Sequence, residues 1–135
     1  MAPTRWEVIH MWRFIFIGFL IAHGLIHVAM WVLVPNPAPG KEAPFDASYS
    51  WLLGDRRALA ATVATATAVV LVAAGIGLWA HADWWRAAAI TGLAASFLLM
   101  VVYFTPWFLF IEGVNAALIG SILWLSWPSR AMVGA

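Results

Sequence analysis

The sequence predicts an all-α membrane protein: a polytopic bundle of four transmembrane helices, both termini on the same side, forming a single domain over residues 1–135. Three observations carry this. Hydrophobic residues make up 64% of the chain and charged residues only 10%, whereas soluble domains carry about 25% charged and 45–50% apolar residues. A chain of this length buries only roughly two-thirds of its surface, so lipid has to solvate much of the rest. Finally, the apolar residues fall into four runs close to the ~20 residues that a bilayer core requires.

The first span covers about residues 10–34 and stops at Pro35-Asn36-Pro37-Ala38-Pro39-Gly40, a run that cannot continue a helix. Its apolar stretch exceeds the 7–15 residues of a signal-peptide core and no A-x-A-like site follows cleanly, so it is read as a retained span. The second covers about residues 57–81 and turns at Ala82-Asp83-Trp84-Trp85-Arg86 into a third, about 86–104. Thr105-Pro106 breaks that helix, and Pro106 suits the first turn of a fourth span, about 106–127, ended by Pro128-Ser129-Arg130. Residues 35–56 form the long loop. Within it, the mixed aromatic and polar run from Phe45 to Leu53 is expected to lie along the membrane surface and cover one end of the bundle.

Four spans place the termini together. Arg5, Arg13, Arg86 and Arg130 then share a side, opposite Lys41, Arg56 and Arg57. This small excess favours cytoplasmic termini and an outward-facing long loop. The alanine- and arginine-rich, lysine-poor composition suggests a bacterial inner membrane. Tryptophans follow the same division. Trp6, Trp12, Trp79, Trp84, Trp85, Trp124 and Trp127 fall near the terminal-side interface, and Trp31, Trp51 and Trp107 near the other, as an aromatic belt requires.

Small-xxx-small rows (Thr62/Ala66, Ala73/Gly77, Gly92/Ser96, Gly113/Ala117, Ala116/Gly120) allow close helix packing and leave faces for homo- or hetero-oligomers. A net charge of +1 without basic runs gives no reason to expect nucleic acid. The absence of cysteine excludes disulfides, thiolate metal sites and thiol nucleophiles.

The informative residues are those that lipid disfavours. His23 and His27 are i,i+4 on the first span, and Glu112 and Asn115 are i,i+3 on the fourth, so each pair shares a face. An ionisable side chain at mid-helix costs on the order of 2.5–3.5 kcal/mol and normally faces the bundle interior. At 1.5 Å per residue, His27 and His23 lie roughly 10 and 16 Å below the loop-side end of the first span, and Glu112 and Asn115 about 9 and 13 Å below the same face. His27 is therefore expected opposite Glu112, and His23 near Asn115. Thr62, Thr65, Thr67 and Tyr103 also fall in this loop-side half. Arg13, Ser96 and Ser121 are assigned to the opposite, greasier half, with Arg13 snorkelling to its interface.

The resulting expectation is a small inner-membrane protein with an accessory or ligand-binding role. Its polar intramembrane pocket would comprise His23, His27, Glu112 and Asn115 with Thr62, Thr65 and Tyr103, and would take a small-molecule or lipid ligand. A second expectation is a membrane enzyme or proton-linked carrier for a lipid-soluble molecule, with His27 as base and Glu112 as acid. A third is a subunit of a redox assembly holding a metal at His23, His27 and Glu112. Haem is disfavoured, because His23 and His27 have no histidine opposite, and His10 and His81 match only at the poorly covered terminal-side interface. The Gly24-Leu25-Ile26 spacer lacks the general base of a metalloprotease helix. Interhelical hydrogen-bond glue, at about 0.6 kcal/mol per contact, accounts for the same residues without any ligand. No cofactor is strongly indicated.

Overall fold

A computed structural model describes residues 5–33 and 49–129. Helix α1 (Arg5–Val28) continues through one π-helical segment, Ala29–Leu33. A short hairpin of β1 (Tyr49–Ser50) and β2 (Gly54–Asp55) precedes α2 (Arg57–Trp79), α3 (Trp85–Val102), a 3₁₀ turn (Pro106–Phe108) and α4 (Leu109–Trp124). Four segments, His10–Leu33, Arg57–Trp79, Trp85–Val102 and Pro106–Trp124, are long and apolar enough to cross a membrane.

Specific residues stop each helix. After α2, His81 adopts φ 55°, Ala82 N donates to Gly77 O at 2.8 Å and His81 N to Leu78 O at 3.3 Å. This pair of bonds is a Schellman closure and satisfies carbonyls that the helix leaves open. Arg13 also donates to Trp79 O. Its side chain is buried; it caps α2 rather than snorkelling outward as the sequence suggested. At the end of α4, Arg86 donates to the carbonyls of Ser126 and Pro128. Trp12 packs edge-on against Trp127 at 6.3 Å. These contacts gather the start of α1, the end of α2, the start of α3 and the end of α4 at one end of the bundle.

The hairpin closes the other end. Its three-residue loop, Trp51 to Leu53, is followed by Gly54 at φ +69°, a left-handed conformation that glycine adopts without steric cost. Ser50 Oγ donates to Val102 O and Trp51 Nε1 to Val101 O, both at 2.7 Å, so the hairpin caps the last carbonyls of α3. Tyr103, at the end of α3, donates its hydroxyl to Arg56 O at 3.0 Å and ties that end to the residue preceding α2. Burial raises the Tyr103 phenol above its ordinary pKa, against an opposing effect of Arg56, which keeps the hydroxyl a donor. Of the surface segment expected over 45–53, residues 45–48 lie outside the described residues, and the remainder belongs to this hairpin.

Large apolar side chains such as Phe14, Leu25, Val69, Leu98 and Phe110 point outward, as expected of helices whose solvent is itself apolar. Inside are two apolar clusters. One joins Phe16 and Leu20 to Leu71, Leu78, Leu93 and Ile122; the other joins Trp31 to Ala60, Ala64, Leu99, Met100 and Phe108. Between them along the helices lie His23 and His27 of α1, Thr67 of α2, Ser96 of α3, and Glu112 and Asn115 of α4. The bundle is therefore apolar, polar and apolar in sequence, rather than divided into a polar and a greasy half. Helices α2 and α3 approach closely at Gly92, where an added Cβ would lie 2.6 Å from Leu71 Cδ2.

Leu71 is fully buried and cannot yield. Gly92→Val is expected to destabilise the bundle by about 1–3 kcal/mol, measured by circular dichroism during denaturation in detergent. Gly113→Ala, whose Cβ meets nothing within 4 Å, should stay within about 1 kcal/mol of the parent. Equal stability of all three proteins would contradict the close α2–α3 approach.

Candidate functional site: a polar layer centred on Ser96

Ser96 is the residue that the sequence reading misplaced. It lies six residues before the end of α3, roughly 9 Å by helical rise, level with the histidines. Its hydroxyl meets three side chains: His27 Nε2 at 2.9 Å, Asn115 Nδ2 at 2.9 Å and His23 Nε2 at 3.3 Å. Ser96, His27 and Asn115 are fully buried, and His23 is half-buried. A serine on α3 thus links α1 to α4.

Proton bookkeeping fixes the roles. His27 Nδ1 lies 2.8 Å from His23 O, a carbonyl that can only accept, so Nδ1 carries a proton. In a neutral ring Nε2 then has the lone pair, and the Ser96 hydroxyl donates to it. Ser96 Oγ in turn accepts from the Asn115 amide and from His23 Nε2–H. The one proton and two lone pairs of the hydroxyl are all used.

The histidines belong to a longer column of rings on α1. Phe19 stacks on His23 at 5.3 Å, His23 meets His27 edge-on at 5.1 Å, and His27 stacks on Trp31 at 5.6 Å. Trp31 then meets Phe108, in the 3₁₀ turn that leads into α4, at 5.5 Å. A spacing of four residues puts Phe19, His23, His27 and Trp31 on one face. That spacing was readable in advance, although only the histidines drew notice.

Glu112 behaves differently. It is 8% exposed and both carboxyl oxygens are buried without a hydrogen-bond partner. The expected His27–Glu112 pair is not made, because both nitrogens of His27 are engaged by His23 O and Ser96. Among the described residues no group of three or more His, Asp or Glu side chains is placed to hold a metal ion. His23, His27 and Glu112 are accordingly not brought together as one three-residue cluster. Thr62 and Thr65 are exposed and bond Ala58 O and Ala61 O of their own helix, each at 2.8 Å. Tyr103 joins the end of α3 to the start of α2 through Arg56 O. These three residues stand apart from the polar layer, whereas Thr67, on the buried face of α2, lies within it with its hydroxyl unpartnered.

Removing the Ser96 hydroxyl leaves three buried polar groups short of a partner, each costing about 1–3 kcal/mol. Ser96→Ala and Asn115→Leu are each expected to destabilise the bundle, with a double mutant less destabilised than the sum by about 0.5–3 kcal/mol. Strict additivity in the denaturation cycle would mean that the two side chains do not interact. Comparison with family models, curated proteins and solved structures gives no match to this chain.

Proposed function

We propose that this chain is a small bacterial inner-membrane protein with cytoplasmic termini. It binds a lipid-soluble molecule that presents a cation or a hydrogen-bond donor to Glu112. The observation that carries this reading is the buried Glu112 carboxyl group, whose oxygens have no partner. Interhelical glue accounts for His23, His27, Ser96 and the Asn115 amide nitrogen, which bond one another. It leaves the Thr67 hydroxyl, Asn115 Oδ1 and the ionisable Glu112 without a partner. Unpaired burial of such a group is costly, and ionisable residues at membrane depth usually mark a ligand or ion pathway.

The surroundings suit a donor ligand. Asn115 lies one turn along the same face of α4, and Phe108 one turn before, in contact with Trp31. Aromatic faces attract cations, so a protonated amine near Glu112 would meet both charge and ring. A proton-linked carrier is the second reading, supported by the hydrogen bonds from Asn115 through Ser96 to His27 in the same layer as Glu112. Assembly with a second bundle would use the outward-facing Gly113 and Ala117 of α4.

Glu112→Gln keeps the shape of the side chain but removes its charge and replaces one acceptor oxygen with a donor amide. Protein extracted in mild detergent is expected to retain a lipid-soluble amine or other donor, identified by mass spectrometry, and Glu112→Gln to lose it while remaining folded. Identical retained molecules in both proteins would remove Glu112 from the binding site.

A further inference from the structure

The network centred on Ser96 leaves a remainder on α4. The one proton of the Ser96 hydroxyl goes to His27 Nε2, so the end of the Asn115 amide that meets Ser96 has to donate. That end is Nδ2, at 2.9 Å. Oδ1 is thereby left over, buried and without a partner. Glu112, three residues earlier on the same face, has both carboxyl oxygens in the same condition. Two side chains, each more than nine-tenths buried, thus present three unpartnered oxygens.

With Glu112 ionised, these three oxygens are acceptors only. Thr67 Oγ1, also unpartnered, stands on α2 and carries a proton of its own. The acceptor count selects the ligand. A carbonyl or ether compound has no proton to give, and an alcohol has one. A quaternary ammonium has no N–H and a tertiary one a single N–H, whereas a primary ammonium has three and a charge opposite to that of Glu112. Calcium and magnesium take about six or more oxygens, twice what these two side chains offer.

Depth and helix position limit the rest of the molecule. By helical rise Glu112 lies about 9 Å and Asn115 about 13 Å beyond Pro106. A phosphate attached to the ammonium would be drawn to that depth beside the carboxylate, which counts against an aminophospholipid headgroup. Leu109, Gly113 and Ala116 are exposed, and they adjoin Glu112 along α4. Glu112 therefore stands at the border of the buried face, and an apolar chain on the ammonium reaches the exterior past Ala116 without crossing the bundle.

We propose that Glu112 and Asn115 Oδ1 together bind a primary ammonium group carried on an apolar chain without an anionic group. The proposal rests on the Glu112 reading above and names its ligand class. The test is native mass spectrometry of the chain in non-ionic detergent, titrated with decylamine and its N-methyl, N,N-dimethyl and N,N,N-trimethyl derivatives. All are cations at neutral pH. Decylamine is expected to bind most tightly, each methyl group in place of an N–H weakening binding about tenfold, and Glu112→Gln to lose decylamine. Should Glu112→Gln fail to fold, the methylation series on the parent decides alone. Equal binding of all four amines by the parent, lost in Glu112→Gln, would overturn the primary-ammonium inference and leave the Glu112 reading standing. No binding of decylamine by the parent, or equal binding by Glu112→Gln, would remove both. Displacement of decylamine by phosphatidylethanolamine would assign the site to a lipid headgroup and overturn the proposal.

Discussion

The bundle depends on one hydroxyl group. Ser96 of α3 has one proton to give and two lone pairs to fill, and three side chains from α1 and α4 use them all. In an apolar surrounding no water can take the place of a missing partner, and four-way satisfaction is worth more than the sum of its contacts. The apolar clusters on either side are held by non-directional contacts, which by themselves specify rotation about the helix axes only loosely. A hydrogen-bonded centre is directional. It sets which faces of α1, α3 and α4 look inward, and the layers above and below follow.

That placement explains the roles of the remaining polar residues. His27 is held from both sides, by its own helix through Nδ1 and by Ser96 through Nε2, and its ring is stacked on Trp31. A residue so fixed is suited to orient others. Glu112 shares the layer but not the bonding, so it is the ionisable group of the layer whose chemistry is still unspent. Position and reactivity are thus divided: the serine-centred knot supplies geometry, and in the function proposed above the Glu112 carboxyl group supplies affinity.

Much of the architecture was legible in composition and breaks alone. Pro35 to Gly40, Asp83 to Arg86 and Thr105-Pro106 divide four apolar runs, and the helices occupy them. The shared faces of His23 with His27 and of Glu112 with Asn115 also followed from spacing. Ser96 did not stand out, because a serine among alanines reads as a packing residue, and it was counted into the wrong half although helical rise from Val102 places it level with His27. The His27–Glu112 pairing was drawn from depth, which fixes level but not azimuth. A hydroxyl on a third helix took the nitrogen instead. Arg13 was expected to reach for water, yet the open carbonyl at the end of α2 was nearer. The hairpin that caps α3 was invisible because its Ser50 and Trp51 bonds run to backbone atoms about 50 residues away.

The central claim is that the Ser96 hydroxyl donates to His27 inside the bundle. Solid-state NMR of protein in lipid bilayers, with labelled histidine, serine and glutamate, reads this directly. The account predicts a neutral His27 protonated at Nδ1, with an unprotonated Nε2 shifted by hydrogen bonding and a through-space correlation to Ser96 Cβ. A His27 protonated at Nε2, or one correlated with the Glu112 carboxylate or with acyl chains in place of Ser96, would contradict it.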